Sequence, residues 1–370
     1  MMDARAVVDA LVSWFNEHAR TLPWRSDPTP YHVLLSELML QQTRVETVIP
    51  YFERFTARWP TLGDLAKAKE EEVLHAWAGL GYYSRARNLL RCAVAVSERG
   101  EMPQTVDGLR ELPGVGPYTA GAIASIAFGV RAPLVDGNVE RVVSRLDARA
   151  EDPRGAGKKA LWARVTDLHE AAPEEIAPGD LNQALMELGA TVCKPKQPRC
   201  DVCVLSSGCL AHAANEVAAY PKKKPKKPPT PMFSVAGIWR RPDGVVLGRR
   251  PNKGLLSGLY EPIGMEIGPE DDPAEALVKA FRERIGVTVK RAHRVGEVVH
   301  VFSHRRLRAA VFWIEEAEGS PECREGYSEV TVRQDPEDVA LSTLARRILA
   351  LQPQLELPLA ADGTYGDPKA

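Results

Sequence analysis

A run of lysine and proline residues separates two parts of this 370-residue chain that carry different patterns of apolar residues. Residues 213–231 include five lysines and five prolines. A segment of this composition buries little apolar surface and cannot continue a helix or a central strand. We therefore predict a linker over 213–231 between two domains, residues 1–212 and 232–356, and a disordered tail over 357–370.

The two parts differ in the period of their apolar residues. Before the linker the period is helical, with Gly, Pro, Ser or Thr near most junctions. After it, short β-type runs surround one segment with a helical pattern. The predicted fold class is therefore multidomain, an all-α domain followed by an α+β domain. The proline-rich segment Arg20–Pro30 is predicted to be a loop. Helices are predicted at Tyr31–Gln42, Arg44–Trp59, Leu62–Ala66, Glu70–Ala78, Ser84–Glu98, Val106–Leu112, Thr119–Phe128, Asn138–Leu146, Lys158–Leu168, Leu181–Leu188 and Ala274–Ile285, and strands at Phe233–Trp239, Val245–Arg249, Val295–Phe302 and Leu307–Glu315.

The nearly neutral net charge hides a local excess of cations. The chain has 48 Lys plus Arg against 49 Asp plus Glu, a net charge of −1, which argues against a nucleic-acid partner when taken alone. Between positions 189 and 231, however, eight cations accompany two acids, a local charge of +6, which leaves −7 for the remainder. The charge available for binding nucleic acid is therefore localised in this segment.

The sequence also argues against membrane and secretory classes. The longest small or apolar stretch, Ala120–Val130, has eleven residues, which is too short to span a bilayer. The first twenty residues have the pattern of an amphipathic helix without a secretory cleavage site. We expect a cytoplasmic monomer that does not contact a membrane.

Four of the six cysteines cluster in one short segment, residues 193–209. Four thiolates on one loop can bind a single soft metal centre with little loop-closure entropy. Structural zinc sites usually contain two close cysteine pairs split by a longer insert. Because only one close pair is present here, we favour a [4Fe–4S] cluster and keep zinc as the alternative. The predicted ligands are Cys193, Cys200, Cys203 and Cys209.

Two segments have the features of phosphate-binding sites. Leu112–Ala120 joins two helical stretches through a Gly-Val-Gly sequence, and the glycines allow a tight turn that presents backbone N–H groups at a helix N-terminus. The cysteine loop carries three cations, which suit phosphate contact. The predicted DNA-phosphate contacts are Gly114, Val115, Gly116, Lys194, Lys196 and Arg199.

Two carboxylates lie in sequence environments that favour opposite protonation states. Glu37 belongs to a helix that is apolar nearly all round, so burial should raise its pKa and keep it protonated. Asp136 precedes a helix, where the dipole and free N–H groups favour the anion. Cleavage of a glycosidic bond uses such a pair, an acid for the leaving group and an anion beside the sugar cation. The alternatives are a Glu that reaches solvent and an Asp that is only an N-cap.

These features together resemble the endonuclease III, or helix-hairpin-helix, superfamily of DNA glycosylases. Segments 22–25, 36–43 and 79–85 are similar to its adenine-specific, MutY-type branch, and the resemblance covers essentially the whole chain. It implies a six-helix barrel and a cluster subdomain, followed by a Nudix-like domain. It further implies a monofunctional enzyme of base excision repair, associated with the nucleoid of a bacterial-type cell. This enzyme would remove adenine mispaired with 8-oxoguanine or guanine in double-stranded DNA.

The resemblance also implies roles for individual residues. Glu37 would protonate the flipped adenine and help activate water, and Asp136 would stabilise the sugar cation. Tyr118 stands where bifunctional relatives carry the lysine that forms a Schiff base, so a β-lyase route lacks its nucleophile. The adenine-pocket residues would be Trp24, Arg25 and Gln183, and Gln42, Thr43 and Tyr82 would contact the duplex around the extruded base.

In the second domain, segment 300–304 matches the family's recognition string, and Ser303 and His304 would contact 8-oxoguanine. Segment 279–287 keeps only one of the three acidic residues expected of a Nudix hydrolase, too few to bind Mg²⁺. The resemblance therefore implies a base-reading domain rather than a nucleotide pyrophosphatase.

Two other functions compete with adenine excision. An endonuclease III-like glycosylase/lyase for oxidised pyrimidines is disfavoured by Tyr118 and by the second domain. A DNA-binding iron–sulfur redox sensor would explain the cysteines and the basic loop, but it leaves the pair Glu37 and Asp136 without a role.

Overall fold

A computed structural model describes residues 2–222 and 228–353 of the chain, which divides into two compact units, Met1–Lys226 and Lys227–Ala370. The predicted tail 357–370 lies outside the described residues, as does the lysine-rich centre of the predicted linker. At one edge of that linker, Tyr220 is buried, and its carbonyl accepts from Arg145 Nε at 3.2 Å. At the other edge, residue 230 already begins a strand. The domain limits drawn from the sequence stay predictions.

The first unit is helical, as the apolar period predicts. Within its described residues, no helix is long and apolar enough to cross a membrane, and the same holds for the second unit. The α-helices are Ala4–His18 (α1), Pro23–Ser26 (α2), Pro30–Leu40 (α3), Val45–Arg58 (α4), Leu62–Ala66 (α5), Glu70–Trp77 (α6), Ser84–Arg99 (α7), Val106–Arg110 (α8), Pro117–Ala122 (α9), Gly137–Leu146 (α10), Lys158–Ala171 (α11), Pro178–Thr191 (α12) and Leu210–Ala213 (α13).

Two local predictions in this unit were wrong. The predicted loop Arg20–Pro30 contains the short helix α2, because proline fits the first helical position and the following Trp24 is buried. The single helix predicted over Thr119–Phe128 is α9 followed by a π-helical turn, Ile123–Ala127. In that turn the Ser125 hydroxyl donates to the Gly121 carbonyl at 2.7 Å and so competes for a backbone acceptor of the α-helix.

The second unit contains a mixed sheet between two hydrophobic cores. Its order is β2-β3-β4-β1-β6-β5, with β7 also paired to β3. Among the strand pairs in the described residues, only β1–β6 is parallel. Helix α14 packs in one core and α15 in the other, on opposite faces of the sheet. The elements are Thr230–Ile238 (β1), Arg240–Arg241 (β2), Gly244–Arg249 (β3), Tyr260–Ile267 (β4), Pro273–Ile285 (α14), Thr288–Val301 (β5), Arg305–Glu318 (β6), Glu329–Arg333 (β7) and Thr343–Leu349 (α15).

Strand β4 was not predicted because Pro262 and Gly264 interrupt its apolar alternation. It is central in the sheet all the same, and Pro262 lies opposite Leu247 of β3. The hairpin formed by β5 and β6 is much longer than predicted, and its turn carries the segment 302–304.

Candidate active site

A cleft of about 600 Å³ lies in the helical unit and brings together residues from α2, α3, α9, α10 and α12. Glu37, Tyr118 and Asp136, which are far apart in the sequence, all line it. The cleft also contains every predicted adenine-pocket residue and two of the predicted duplex contacts, namely Trp24, Arg25, Gln183, Gln42 and Thr43. The candidate catalytic residues and the predicted adenine-pocket residues therefore lie in one cleft.

Glu37 is a buried acid. Helix α3 is buried over most of its circumference, and Glu37 itself is only 6% exposed. Burial, with a smaller contribution from the nearby Asp136, raises the pKa of this carboxyl to about 7, although the Tyr118 hydroxyl and Arg25 oppose the rise. A carboxyl with this pKa is largely protonated below neutral pH and can donate a proton to a leaving group.

Asp136 is the N-cap of α10. One oxygen, Oδ1, accepts from the backbone amides of Asn138 at 2.8 Å and Val139 at 2.7 Å, while Oδ2 accepts from Asn138 Nδ2 at 2.8 Å. Burial raises the pKa of Asp136, and these three hydrogen bonds oppose the rise. The position before a helix predicted the backbone donors, but the extent of burial was not predicted. Capping and a role in the cleft coexist in this residue.

Tyr118, in the first turn of α9, contacts residues of two other helices in the cleft. Its hydroxyl donates to Glu37 Oε2 and lies 3.5 Å from Met186 Sδ. Burial raises the pKa of this phenol well above its ordinary value, and the two neighbouring carboxylates add to the rise. Tyr118 therefore keeps its proton and orients Glu37. Among the described residues that line the cleft, none is a lysine.

A buried ion cluster, missed in the sequence, supports the predicted adenine pocket. Glu187 of α12 accepts from Arg20 Nε at 2.6 Å and from an Arg25 terminal nitrogen at 2.8 Å. Burial alone would raise the pKa of Glu187, but the hydrogen bonds from the two arginines hold it below its ordinary value. Arg25 Nε also donates to Gln183 Oε1 at 3.1 Å, so the cluster fixes the side chain of Gln183. In the sequence, Glu187 is an acidic residue at helical spacing from apolar neighbours, and this pattern does not indicate its ion pairs.

A second missed residue, Arg85, joins the two loops that carry the predicted duplex contacts. Its guanidinium is 5% exposed and donates to the carbonyls of Leu38, Met39 and Gln41 at 2.6–2.8 Å, and to those of Leu80 and Gly81 at 3.1 Å.

In these two loops, Gln42 has a φ of 59° and Tyr82 a φ of 48°, left-handed conformations that non-glycine residues rarely adopt. Tyr82 remains 45% exposed beside the Arg85 guanidinium. Burial lowers the pKa of Arg85 to about 10, so it still carries its charge at neutral pH. One buried cation therefore sets the positions of both loops relative to the helix of Glu37.

The Gly-Val-Gly turn precedes α9 as predicted. Gly114 has a φ of 79°, and a Cβ at this position would lie 2.4 Å from Asn88 Cβ, so a glycine is required there. Gly116 is the N-cap of α9, and the Val115 side chain is buried. Any ligand contact by Val115 must therefore use its backbone.

The cysteine loop is joined to α10. Arg145 donates to Cys193 Sγ at 3.3 Å, and Arg141 links the Cys193 carbonyl, at 2.6 Å, to Asn138 Oδ1, at 2.7 Å. The loop cations Lys194, Lys196 and Arg199 are all exposed.

Within residues 2–222 and 228–353, no group of three or more His, Cys, Asp or Glu side chains is arranged to hold a metal ion. The donor set itself, four cysteine sulfurs on one loop beside an arginine, suits a soft metal centre.

In the second unit, Ser303 and His304 occupy the exposed turn between β5 and β6. The neighbouring Val301 is 62% exposed, more than any other large hydrophobic side chain among the described residues. This turn is therefore accessible to a large partner such as duplex DNA.

Comparison with known proteins agrees with this picture. The family model described as "HhH-GPD superfamily base excision DNA repair protein" matches residues 35–167, and the NUDIX domain model matches residues 234–351. The adenine DNA glycosylase of Mus musculus is 39% identical over 367 residues, which cover 84% of this chain and 70% of that protein. The adenine DNA glycosylase of Schizosaccharomyces pombe is 32% identical, covering 82% of this chain and 80% of its own length.

The helical unit also resembles a solved structure, that of a thermostable thymine-DNA glycosylase. The superposition has a TM-score of 0.52 at 29% identity and covers 57% of this chain and 97% of the other.

Proposed function

Since the chain belongs to the adenine DNA glycosylase family, and is thus a helix-hairpin-helix DNA glycosylase of base excision repair, we propose that its substrate is adenine mispaired with 8-oxoguanine, or with guanine, in duplex DNA. The observation that carries this proposal is the pair of carboxyl groups, Glu37 and Asp136, in one cleft with the adenine-pocket residues.

Base extrusion comes first in the proposed reaction. The exposed Tyr82 and the loop residues Gln42 and Thr43 fill the space left in the duplex and offset an unstacking cost of a few kcal/mol. Trp24, Arg25 and Gln183 then hold the adenine in the cleft. The preformed ion cluster at Glu187 keeps Arg25 and Gln183 in place before the base arrives.

Glycosidic cleavage then uses the two carboxylates in different states. Protonated Glu37 donates its proton to the adenine as the bond to the sugar breaks, and the resulting carboxylate can accept a proton from the attacking water. Asp136 stabilises the oxocarbenium-like sugar through its negative charge. The donors from Asn138 and Val139 favour that charge against the effect of burial.

Tyr118 orients Glu37 and offers no amine to the sugar. A Schiff base, which a β-lyase step requires, therefore has no amine nucleophile among the described residues that line this cleft. The product is an abasic site in an uncut strand.

We propose that Cys193, Cys200, Cys203 and Cys209 hold a [4Fe–4S] cluster. Such a cluster, when bound, would fix the loop and place Lys194, Lys196 and Arg199 for phosphate contact, together with the backbone of Gly114, Val115 and Gly116. Arg145 beside the Cys193 sulfur offsets thiolate charge. Iron and sulfide analysis of the purified protein with its visible absorption distinguishes this cluster from zinc.

In the second unit we propose that Ser303 and His304 read the 8-oxoguanine opposite the extruded adenine. Support comes from their exposed turn and from the NUDIX domain match. We further propose that the protein acts as a monomer on chromosomal DNA in the cytoplasm.

A duplex assay tests the function as a whole. The protein is incubated with a duplex that contains adenine opposite 8-oxoguanine, and the products are resolved with and without alkali. Strand cleavage at the adenine only after alkali is the expected result, because the abasic site is stable until then. An intact strand after alkali would exclude adenine excision, and scission without alkali would show a lyase. A duplex with thymine opposite adenine is the matched control.

A further inference from the structure

The turn between β5 and β6 is followed directly by two arginines. Arg305 and Arg306 begin β6, are exposed, and lie next to Ser303 and His304 in the chain. Arg305 is paired with Thr230 of β1, and Arg306 with Val301 of β5, so the backbone of both is held in the sheet. The two side chains therefore project from backbone that strand pairing holds in place.

The charges along this hairpin differ between its tip and the remainder. Away from the tip, each of the following cations has a carboxylate within 4 Å: Lys290 with Glu318 at 2.9 Å, Arg291 with Glu315 at 2.6 Å, Arg294 with Glu297 at 3.7 Å, and Arg308 with Glu297 at 3.0 Å. Among the described residues, Arg305 and Arg306 form no ion pair. The positive charge at the tip is thus available to an external anion.

The pleat of the strand separates the two guanidinium groups. Successive residues of a strand point to opposite faces of the sheet, so Arg305 shares the face of the buried Leu307, and Arg306 shares that of Arg308. A terminal nitrogen of Arg305 lies 3.9 Å from Met232 Sδ of β1, which is a weak contact. One guanidinium therefore lies on each side of the turn that carries Ser303 and His304.

We propose that Arg305 and Arg306 bind two DNA phosphates, one on either side of the base that Ser303 and His304 read. This inference rests on the proposed function of the turn. A guanidinium matches the geometry of a phosphate and can bind it bidentately. Phosphate contacts fix the register of a protein on a duplex, and base contacts supply the sequence information. The hairpin tip then combines both in four consecutive residues, 303–306.

Salt-dependent binding tests this proposal. All variants carry Glu37→Gln so that adenine is not excised during the titration, and the probes are 30-base-pair duplexes with adenine opposite 8-oxoguanine or guanine. Arg305→Gln/Arg306→Gln should reduce the slope of log Kd against log salt by about 1.8, because each phosphate contact contributes about 0.9. The factor by which Kd rises between 50 and 200 mM salt should then be about twelvefold smaller than in the parent. Arg305→Lys/Arg306→Lys should keep most of the slope.

The control is Arg291→Gln, an exposed arginine of the same hairpin that already pairs with Glu315. Its slope should match that of the parent. The proposal is overturned by an unchanged slope in the double Gln variant, by an equal change in the control, or by a loss of affinity confined to the 8-oxoguanine duplex.

Failure of the proposed base reading gives a different result. The parent would then bind both duplexes equally, and Ser303→Ala/His304→Ala would leave both affinities unchanged, whatever the slopes of the arginine variants.

Discussion

The two functional regions of this molecule are built in opposite ways. In the helical cleft, carboxyl groups from distant parts of the chain line the same cavity, and burial raises the pKa values of both Glu37 and Asp136. At the tip of the β5–β6 hairpin, functional residues that are neighbours in the sequence are exposed. Proton donation near neutral pH needs a carboxyl with a raised pKa, which burial provides here, whereas reading a base needs access to the duplex.

This contrast predicts that variants in the cleft change the rate of excision and variants at the tip change the choice of duplex. The expected effects, from the largest to the smallest, test whether the two regions are independent.

Loss of the buried acid has the largest expected effect. Glu37→Gln keeps the shape of the side chain but removes the transferable proton, and we expect the single-turnover excision rate to fall about 10³-fold. Affinity for the mispaired duplex should change by less than about threefold, since the proton is used only during bond cleavage. Quenched-flow kinetics and fluorescence anisotropy measure the two quantities. The exposed Glu53→Gln on α4 is the control and should excise normally.

Asp136→Asn separates charge from helix capping. Asparagine is about as good an N-cap as aspartate, so the melting temperature should stay within about 2 °C of the parent value. Loss of the negative charge should slow excision about 100-fold, which the same single-turnover assay measures.

Asp272 caps α14 in the second unit, where it accepts from Ala274 and Glu275, and Asp272→Asn is the matched variant. Because Asp272 lies outside the cleft, its variant should excise at the parent rate. A rate loss in Asp136→Asn no larger than that in Asp272→Asn would contradict a role for the Asp136 charge in cleavage.

Arg85→Lys tests the connection between the two duplex-contacting loops. A lysine offers three donors in place of a guanidinium that serves carbonyls of both loops, so the loops should lose their fixed separation. We expect about a 30-fold slower excision from misplacement of the base. Base extrusion, followed with a 2-aminopurine in place of the adenine, should be impaired in parallel.

The control for Arg85 is Arg87→Lys on the same helix, where the arginine pairs with Glu70. Normal extrusion in Arg85→Lys would mean that the arginine serves only stability.

The rate of excision should follow the protonation of Glu37. Since burial raises its pKa to about 7, the acid form dominates at pH 6, and the single-turnover rate should fall about tenfold between pH 6 and pH 8. Tyr118→Phe removes a hydrogen bond that lowers this pKa, so the midpoint of the profile should move to higher pH. A midpoint that stays in place in Tyr118→Phe would contradict the coupling of the two groups.

The hairpin tip should produce the smallest change and a different kind of change. Ser303→Ala/His304→Ala should reduce the preference for 8-oxoguanine over guanine about fivefold, with excision from the guanine duplex nearly unchanged. Parallel time courses on the two duplexes give the ratio. An equal loss on both duplexes would erase the contrast between the regions.

The features that the sequence predicts are local, and those that it does not predict depend on contacts between distant residues. The helical pattern placed Glu37 on an apolar helix and Asp136 at a helix start, because both signals are local in the sequence. The ion cluster at Glu187 and the carbonyl contacts of Arg85 could not be foreseen, since they join residues up to 167 positions apart. The burial of Asp136 likewise depends on the packing of several helices. In the second unit, strand β4 was not predicted because it contains Pro262, and proline is usually absent from a central strand.

The central claim is that this cleft releases adenine by means of Glu37, and the most direct measurement is the free base itself. A duplex with adenine opposite 8-oxoguanine is mixed with excess protein, and the released base is quantified by mass spectrometry. We predict stoichiometric free adenine with the parent protein, and about 10³-fold slower release with Glu37→Gln at unchanged binding. Release of any other base, or equal rates for the two proteins, would contradict it.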